Sequence, residues 1–327
     1  MKNNNNSENK DMLSDLPDCL ILHILSFLDT KEAVQTCILS MRWKNIWKHL
    51  PNLTLLESSQ FNMLESFTTF ISNILSLRGS STSLNNIYFR YIKFIIDPRL
   101  LETIVEYAVS HNVKLLDIYL SSHIQSFPPC LFSSPTLTSL HLQVTTPHKI
   151  LFPISLNLPA LTSLVLWRFS FPLSYDGRAE PFSKLKKLKR LFIYKCEVND
   201  AQNLCISSLT LVALLIIACP YCFGIELSTP SLVDFRFSGI PLQKLCGSNS
   251  NLPNIKHVYI DLINLENSAQ TSLLLLNWLV ELANIQSLKV TSNTLKVLQA
   301  MFILTCFLIL LENFLKNMTF LNDPNSS

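Results

Sequence analysis

The sequence of 327 residues predicts an α/β chain in two parts, a short module of three small helices followed by a long stack of repeats built on short parallel strands. Three observations predict it. Over the first fifty positions, apolar residues recur at helical spacing with helix start and stop residues between them. From residue 84 onward one hexapeptide pattern, apolar at its first, fourth and sixth positions, recurs nine times. Glycine is scarce: there are five, at 79, 177, 224, 239 and 247, no two of them close neighbours. Loops that cradle phosphates or expose a nucleophile need clustered glycines. The commonest nucleotide-binding and hydrolase designs are therefore excluded.

The chain opens with "MKNNNNSENKDML", polar and Asn-rich, which reads as a disordered leader over residues 1–10 and not as a signal peptide. Beyond it, Leu20, Ile24, Leu25 and Leu28 recur at helical spacing behind a start signal formed by Ser14, Asp15 and Pro17. Thr30 is expected to cap a second helix carrying Val34, Cys37 and Ile38. Ser40 is expected to cap a third, with Trp43 and Trp47 on one face and Pro51 as its stop. So small a module buries too little surface to stand alone. Part of its apolar surface should be finished by a partner or by the following domain.

The run "LPDCLILHILSFLDTKEAVQTCILSMRWKNIW" resembles the F-box of plant F-box proteins that carry leucine-rich repeats. The likeness spans some 35 positions, with Leu-Pro, the first helix's aliphatics and Arg-Trp all in register. Cys19, Asp29 and Met41 depart from the usual residues. The resemblance implies an N-terminal segment, 11–51, that docks onto the Skp-type adaptor of a cullin-based (SCF) ubiquitin ligase. It places Leu16, Pro17, Leu20, Ile24, Leu25, Leu28 and Trp43 at the adaptor contacts.

The recurring hexapeptides are "LNNIYF" (84–89), "VKLLDI" (113–118), "LTSLHL" (137–142), "LTSLVL" (161–166), "LKRLFI" (188–193), "LVALLI" (211–216), "LVDFRF" (232–237), "IKHVYI" (255–260) and "IQSLKV" (285–290). Steps of 21 to 30 residues fall in the range of leucine-rich repeats. Pro135, Pro159, Pro230 and Pro253 each precede a motif by two residues, where proline favours an extended approach to a strand. The segment 97–112 is predicted helical, capped by Asp97 with Pro98 in its first turn and Leu101, Ile104, Val105 and Ala108 inward. The segment 268–284 is similar, with Leu274, Leu275, Trp278, Leu279 and Leu282 inward. A connecting helix, within 52–83, sets Met63, Phe67, Phe70, Ile71 and Ile74 on one side and stops at Gly79. The repeats are expected to run over 84–298.

Repeats of this kind place Asn or Cys three residues past the last strand leucine, where the side chain hydrogen-bonds to neighbouring turns. Cys196, Cys219 and Asn293 hold that offset. This role also accounts for Cys219 in "CPYC" (219–222), which has no second CxxC and no paired histidines for zinc. Nine scattered cysteines fit reduced thiols in the cytoplasm or nucleus. No cofactor, metal or catalytic residue is expected. A net charge of +3 is too small to argue for nucleic acid, and the basic run "KLKKLKR" (184–190) reads as the solvated flank of a strand.

Within each strand the residues between the apolar ones face away from the core. In a horseshoe they would line its concave surface: Tyr88/Arg90, Asp117/Tyr119, His141/Gln143, Val165/Trp167, Phe192/Tyr194, Leu215/Ile217, Arg236/Ser238, Tyr259/Asp261 and Lys289/Thr291. Six of the eighteen are aromatic, against 10% in the chain. Target contacts are expected at Tyr88, Tyr119, His141, Trp167, Phe192, Tyr194, Arg236 and Tyr259.

After the last motif, the tail 299–327 contains the apolar stretch Ala300 to Leu311, too short for a bilayer span of about 20 residues. It is expected to form a covering helix through Leu304, Phe307, Leu308, Leu311 and Leu315, as a divergent or truncated end, rather than a membrane anchor. Overall, the sequence is read as a non-catalytic, substrate-recruiting subunit of an SCF ligase with an unknown protein target, a Skp-type adaptor and a cullin scaffold as partners. The alternative is a free-standing repeat scaffold or sensor, tethered to a membrane by its tail, that engages no ligase.

Overall fold

The computed structural model describes residues 15–57, 61, 64–79, 84–93, 95–173, 178–199, 203–219, 224–240, 244–246, 252–263, 269–282 and 285–299. The chain forms two compact units, residues 1–148 with 157–161 and residues 149–156 with 162–327. Residues 300–327 of the tail, Ser14, Met63 and Pro220–Cys222 of the CPYC motif lie outside the described residues.

The first unit begins with α1 (Asp18–Leu25), entered from Pro17 without a side-chain cap. In α2 (Thr30–Gln35) the cap is Asp29, one residue before the expected Thr30. Its carboxylate accepts the Glu32 N–H at 2.8 Å, and the Glu32 carboxylate accepts the Asp29 N–H at 3.2 Å. That capping box leaves the buried Thr30 hydroxyl available for a different task. The expected third helix, capped by Ser40, is instead a turn over 41–45 followed by a 3-10 turn, Ile46–His49. Trp43, Ile46, Trp47 and Leu50 nevertheless reach the core with Ile21, Leu25 and Ala33. The aromatic surface is spent inside the module, and Arg42 holds the turn to α1 through Asp18 at 2.7 Å.

The segment expected to be only a connecting helix also contains a strand, β1 (Asn52–Leu56), ahead of α3 (Leu64–Arg78). Leu53 and Leu55 are fully buried, and each contributes about 2 kcal/mol of apolar burial. β1 pairs in parallel with β2 (Asn86–Tyr91), which continues through β3 (Leu115–Leu120) to β4 (Ser139–Val144). Between β2 and β3 lies α4 (Pro98–Ser110). Asp97 accepts the Arg99 N–H at 2.9 Å, Pro98 occupies the first turn, and Leu101, Ile104, Val105 and Ala108 are buried as expected. Phe67, Phe89 and Tyr91 stack beneath this part of the sheet. Gly79 ends α3 at φ +70°, a left-handed conformation that glycine adopts without strain.

The second unit holds β5 (Ile150–Leu151), β6 (Ser163–Trp167), β7 (Phe169–Phe171), β8 (Arg190–Tyr194), β9 (Glu197–Val198), β10 (Leu204–Ser207), β11 (Ala213–Ile217), β12 (Gly224–Ser228), β13 (Asp234–Gly239), β14 (Lys244–Cys246), β15 (His257–Leu262), α5 (Ala269–Glu281) and β16 (Ser287–Val290). The strands β6, β8, β11, β13, β15 and β16 pair in parallel in that order. Two smaller parallel sheets, β5-β7-β9 and β10-β12-β14, gather the remaining short strands. Phe152, Phe169, Phe171 and Phe182 pack together around the first of them. In α5, Leu275, Trp278 and Leu282 are buried and Leu274 and Leu279 half-buried, with Trp278 edge-on to Phe237 at 4.9 Å.

All nine hexapeptides form strands, each strand starting on the third residue of its motif. The first apolar residue, such as Val113, Leu161 or Leu211, is buried in the turn before the strand. The fourth and sixth positions are buried in the first eight motifs, whereas in the ninth Leu288 is exposed and Ile285 and Val290 are half-buried. After three successive strands the chain turns through a left-handed residue that is not glycine: Arg168, Lys195 and Ala218. The N–H of each extends the ladder, donating to the carbonyl of Tyr194, Ile217 and Ser238 respectively. Cys196 then acts as expected: it accepts the Phe169 N–H at 3.4 Å and its thiol points to the Tyr194 carbonyl at 3.4 Å. Cys219 makes the same kind of contact with the Ile217 carbonyl at 3.5 Å. In the last repeat the role falls to Thr294 and not Asn293, which is exposed. The fully buried Thr294 hydroxyl accepts the Leu262 N–H at 2.9 Å and donates to the Ile260 carbonyl at 3.2 Å.

The first unit thus sets a small helical module against parallel strands, and the second is built of parallel strands in successive repeats.

Candidate functional site

Two surfaces stand out, one in each unit. The helical module carries two apolar stripes about 100° apart on α1. Ile21 and Leu25 face the core. Leu20, Ile24 and Phe27, at i, i+4 and i+7, face solvent with exposures of 47%, 41% and 76%. Of the residues expected at the adaptor contacts, Leu20, Ile24 and Pro17 are exposed, and Leu16 and Leu28 are half-buried. Leu25 and Trp43 are not on the surface: both are core residues that support the exposed stripe from behind. The sequence reading missed Phe27, Ile38, Leu39 and Met41, and the last three are exposed at 85%, 58% and 83%. With Leu20, Ile24 and Phe27 they gather six large exposed apolar side chains on one small module, the kind of patch that marks an interaction surface.

The other face of α2 joins the module to the sheet. The Thr54 N–H, on the edge of β1 away from β2, donates to Thr30 Oγ1 at 2.9 Å. Arg78, at the end of α3 and 3% exposed, donates through Nη2 to the Leu50 carbonyl at 2.8 Å and meets Tyr107 of α4. Burial lowers the Arg78 pKa, with Tyr107 opposing. The helical module thus covers the strand edge that would otherwise be open to pairing.

The second surface is the outward side of the sheet strands. In the first unit Tyr88, Asp117 and His141 share one cross-strand row, and Arg90, Tyr119 and Gln143 the next. The Arg90 guanidinium lies 5.0 Å from the Tyr119 ring centre. Ser139 Oγ, His141 Nε2, His141 Nδ1 and Asp117 Oδ2 form a chain with 3.1 Å at each step. That order matches a hydrolase relay, but an oxyanion also needs free N–H donors. The Ser139 N–H is spent on the Lys114 carbonyl, and β3 and β4 are paired along their length. The chain fastens two strands together.

In the second unit one outward row runs Val165, Phe192, Leu215, Arg236, Tyr259, Lys289, and the next runs Trp167, Tyr194, Ile217, Ser238, Asp261. All the predicted contact residues of this unit lie in these rows. Trp167 and Tyr194 stack at 5.0 Å and 13°, with Lys195 Nζ 5.6 Å from the Trp167 ring. Burial raises the Tyr194 pKa. Ser163 and Val165 are covered although they point outward. Toward β16 the surface opens into a hollow of about 610 Å³, lined among others by Asp234, Arg236, His257, Tyr259, Ser287 and Lys289. Asp234 accepts from Arg236 Nε at 3.2 Å and Nη2 at 3.3 Å, and this pairing raises the Arg236 pKa. Among the described residues, no group of three His, Cys, Asp or Glu side chains is placed to hold a metal, and no helix is long and apolar enough to cross a membrane.

The first unit carries an exposed apolar helix stripe on a small helical module, and both units are built on stacked parallel strands. In comparison with known proteins, residues 13–55 match the F-box domain family. The chain is 30% identical over 215 residues to F-box/LRR-repeat protein 13 of Arabidopsis thaliana, covering 63% of this chain and 46% of that one. A further Arabidopsis F-box/LRR-repeat protein is 26% identical over an alignment of 330 positions, 96% of this chain and 68% of its own length. An Arabidopsis F-box/FBD/LRR-repeat protein is 31% identical over 160 residues, 48% of this chain and 36% of its own. The chain carries an F-box domain at its start and is similar along most of its length to plant F-box/LRR-repeat proteins. It spans about half the length of the first relatives named by this comparison.

Proposed function

We propose that the chain is the substrate-recruiting subunit of an SCF-type ubiquitin ligase, acting in the cytoplasm or nucleus. The observation that carries this reading is the solvent-facing stripe Leu20, Ile24 and Phe27 on an F-box whose second stripe is already buried. Such a stripe fits the apolar groove of a partner helix bundle, with Pro17, Ile38, Leu39 and Met41 extending the contact and Leu16 and Leu28 at its margin. The Skp-type adaptor docked there links the chain to the cullin scaffold. The outward strand faces of each unit, with Tyr88, Tyr119 and His141 in the first and Trp167, Phe192, Tyr194, Arg236 and Tyr259 in the second, supply the contacts to the target protein.

The chain supplies no reacting group in this scheme. It raises the local concentration of target lysines around the ubiquitin-carrying enzyme, so the rate gain comes from proximity. Co-expression with a Skp-type adaptor tests the first half. The native chain is expected to co-purify with it, and Leu20→Asp to abolish the complex without unfolding the chain. A native chain that stays alone would favour a free-standing repeat scaffold.

A further inference from the structure

The outward face of the second unit is not uniform along its length. On β6, β8 and β11 it presents Trp167, Phe192, Tyr194, Leu215 and Ile217, with no acidic or basic side chain at these positions. On β13, β15 and β16 the same two rows present Arg236, Tyr259, Lys289, Ser238 and Asp261 beside the hollow. The polarity changes between Leu215 and Arg236, which are direct register partners.

The charges of the polar half are already partly matched. Asp234 is taken up by two bonds from Arg236. Asp261 accepts the Ser238 and Thr291 hydroxyls, both at 2.9 Å. Lys289 is exposed, and with Arg236 paired to Asp234 it leaves the residues lining the hollow with one surplus positive charge. The Asp234 contacts hold the guanidinium in place while its Nη1 makes no bond to that carboxylate.

We propose that this face recognises an extended acidic peptide segment lying across the strands, with an apolar or aromatic side chain on the Trp167–Tyr194 platform and a carboxylate in the Arg236–Lys289 hollow. The proposal deepens the target-binding reading of the same face and rests on it. The geometry sets the spacing. From β8 to β15 is three strand steps, or about 14 Å at about 4.8 Å per step. An extended peptide covers that in about four or five residues. The aromatic floor supplies desolvated contact area, and the cations add selection and a salt-dependent encounter rate.

The test is display selection of random peptides of about 16 residues, long enough to cross the face when extended, on the full-length chain, followed by binding of the enriched peptides. The enriched peptides should pair an aromatic or large aliphatic residue with Asp or Glu at that spacing. Their affinity should fall about tenfold or more with Lys289→Glu, about tenfold with Glu→Gln in the peptide, and steeply as salt rises. Lys289 is solvent-exposed, and an unchanged melting temperature of Lys289→Glu controls for folding. Peptides that need Trp167 but bind Lys289→Glu equally well would overturn the acidic preference and leave the target face standing. Peptides indifferent to both Trp167→Ala and Lys289→Glu, or no enrichment at all, would overturn both readings.

Discussion

The Thr54 backbone N–H donates to the Thr30 hydroxyl at 2.9 Å, joining the second F-box helix to the edge of the first sheet strand. The bond makes the F-box the cover of the repeat sheet as well as an adaptor-docking module. Thr30→Val keeps the shape but leaves the Thr54 N–H without its acceptor. The expected loss is about 1–2 kcal/mol, measured by chemical denaturation, with Thr30→Ser losing much less.

Arg78 serves the same junction from the other side, through the Leu50 carbonyl and Tyr107. Its planar fork reaches more than one acceptor, which an ammonium cannot reproduce. Arg78→Lys is therefore expected to be nearly as damaging as Arg78→Met, each costing about 2–3 kcal/mol in denaturation. Strand β1 should lose hydrogen-exchange protection before the second unit does.

The turn after β11 holds Ala218 at φ +48°. A side chain in that region costs about 1–2 kcal/mol, and the added freedom of glycine in the unfolded chain returns part of it. Ala218→Gly should thus raise the melting temperature or leave it unchanged, and Ala218→Val should lower it clearly. A drop with glycine would show that the turn is not strained.

Cys205 is buried beside Glu226, and its thiol is pushed up to about 11 from 9.0, by burial first and the Glu226 charge second. The folded chain therefore holds this proton at pH values where the unfolded chain has released it. The contribution is fully present below pH 9 and is lost as pH rises through 9 toward 11. Melting temperature followed across that window should fall more gently in Cys205→Val than in the native chain. Buried Tyr91 and half-buried Tyr194, whose pKa values are also raised, keep part of the fall in both.

The strand positions were legible in the sequence because burial alternates along each strand and the pattern repeats. Val113, Leu116 and Ile118 are all fully buried, as the first, fourth and sixth motif positions require. β1 was missed although Leu53 and Leu55 alternate in the same way, because it lies directly behind the F-box with no motif ahead of it. The inner and outer stripes of α1 could not be separated, since Leu20, Ile21, Ile24 and Leu25 are equally apolar and only packing selects between them. Trp43, Ile46, Trp47 and Leu50 have a spacing that suits a helix and a 3-10 turn alike. The Asn293 offset failed by one residue because only the Thr294 hydroxyl reaches the Leu262 N–H.

The central claim is that the exposed α1 stripe is the docking surface, while Ile21 and Leu25 are spent on the module's own core and the Thr30–Thr54 bond joins the module to its sheet. Hydrogen–deuterium exchange of the full chain, with and without a Skp-type adaptor, tests it most directly. The account predicts adaptor-dependent protection over residues 18–28 and 36–43, erased by Leu20→Asp, with the amides of β11, β13 and β15 unaffected. Protection appearing on those strands while α1 exchanges as before would contradict it.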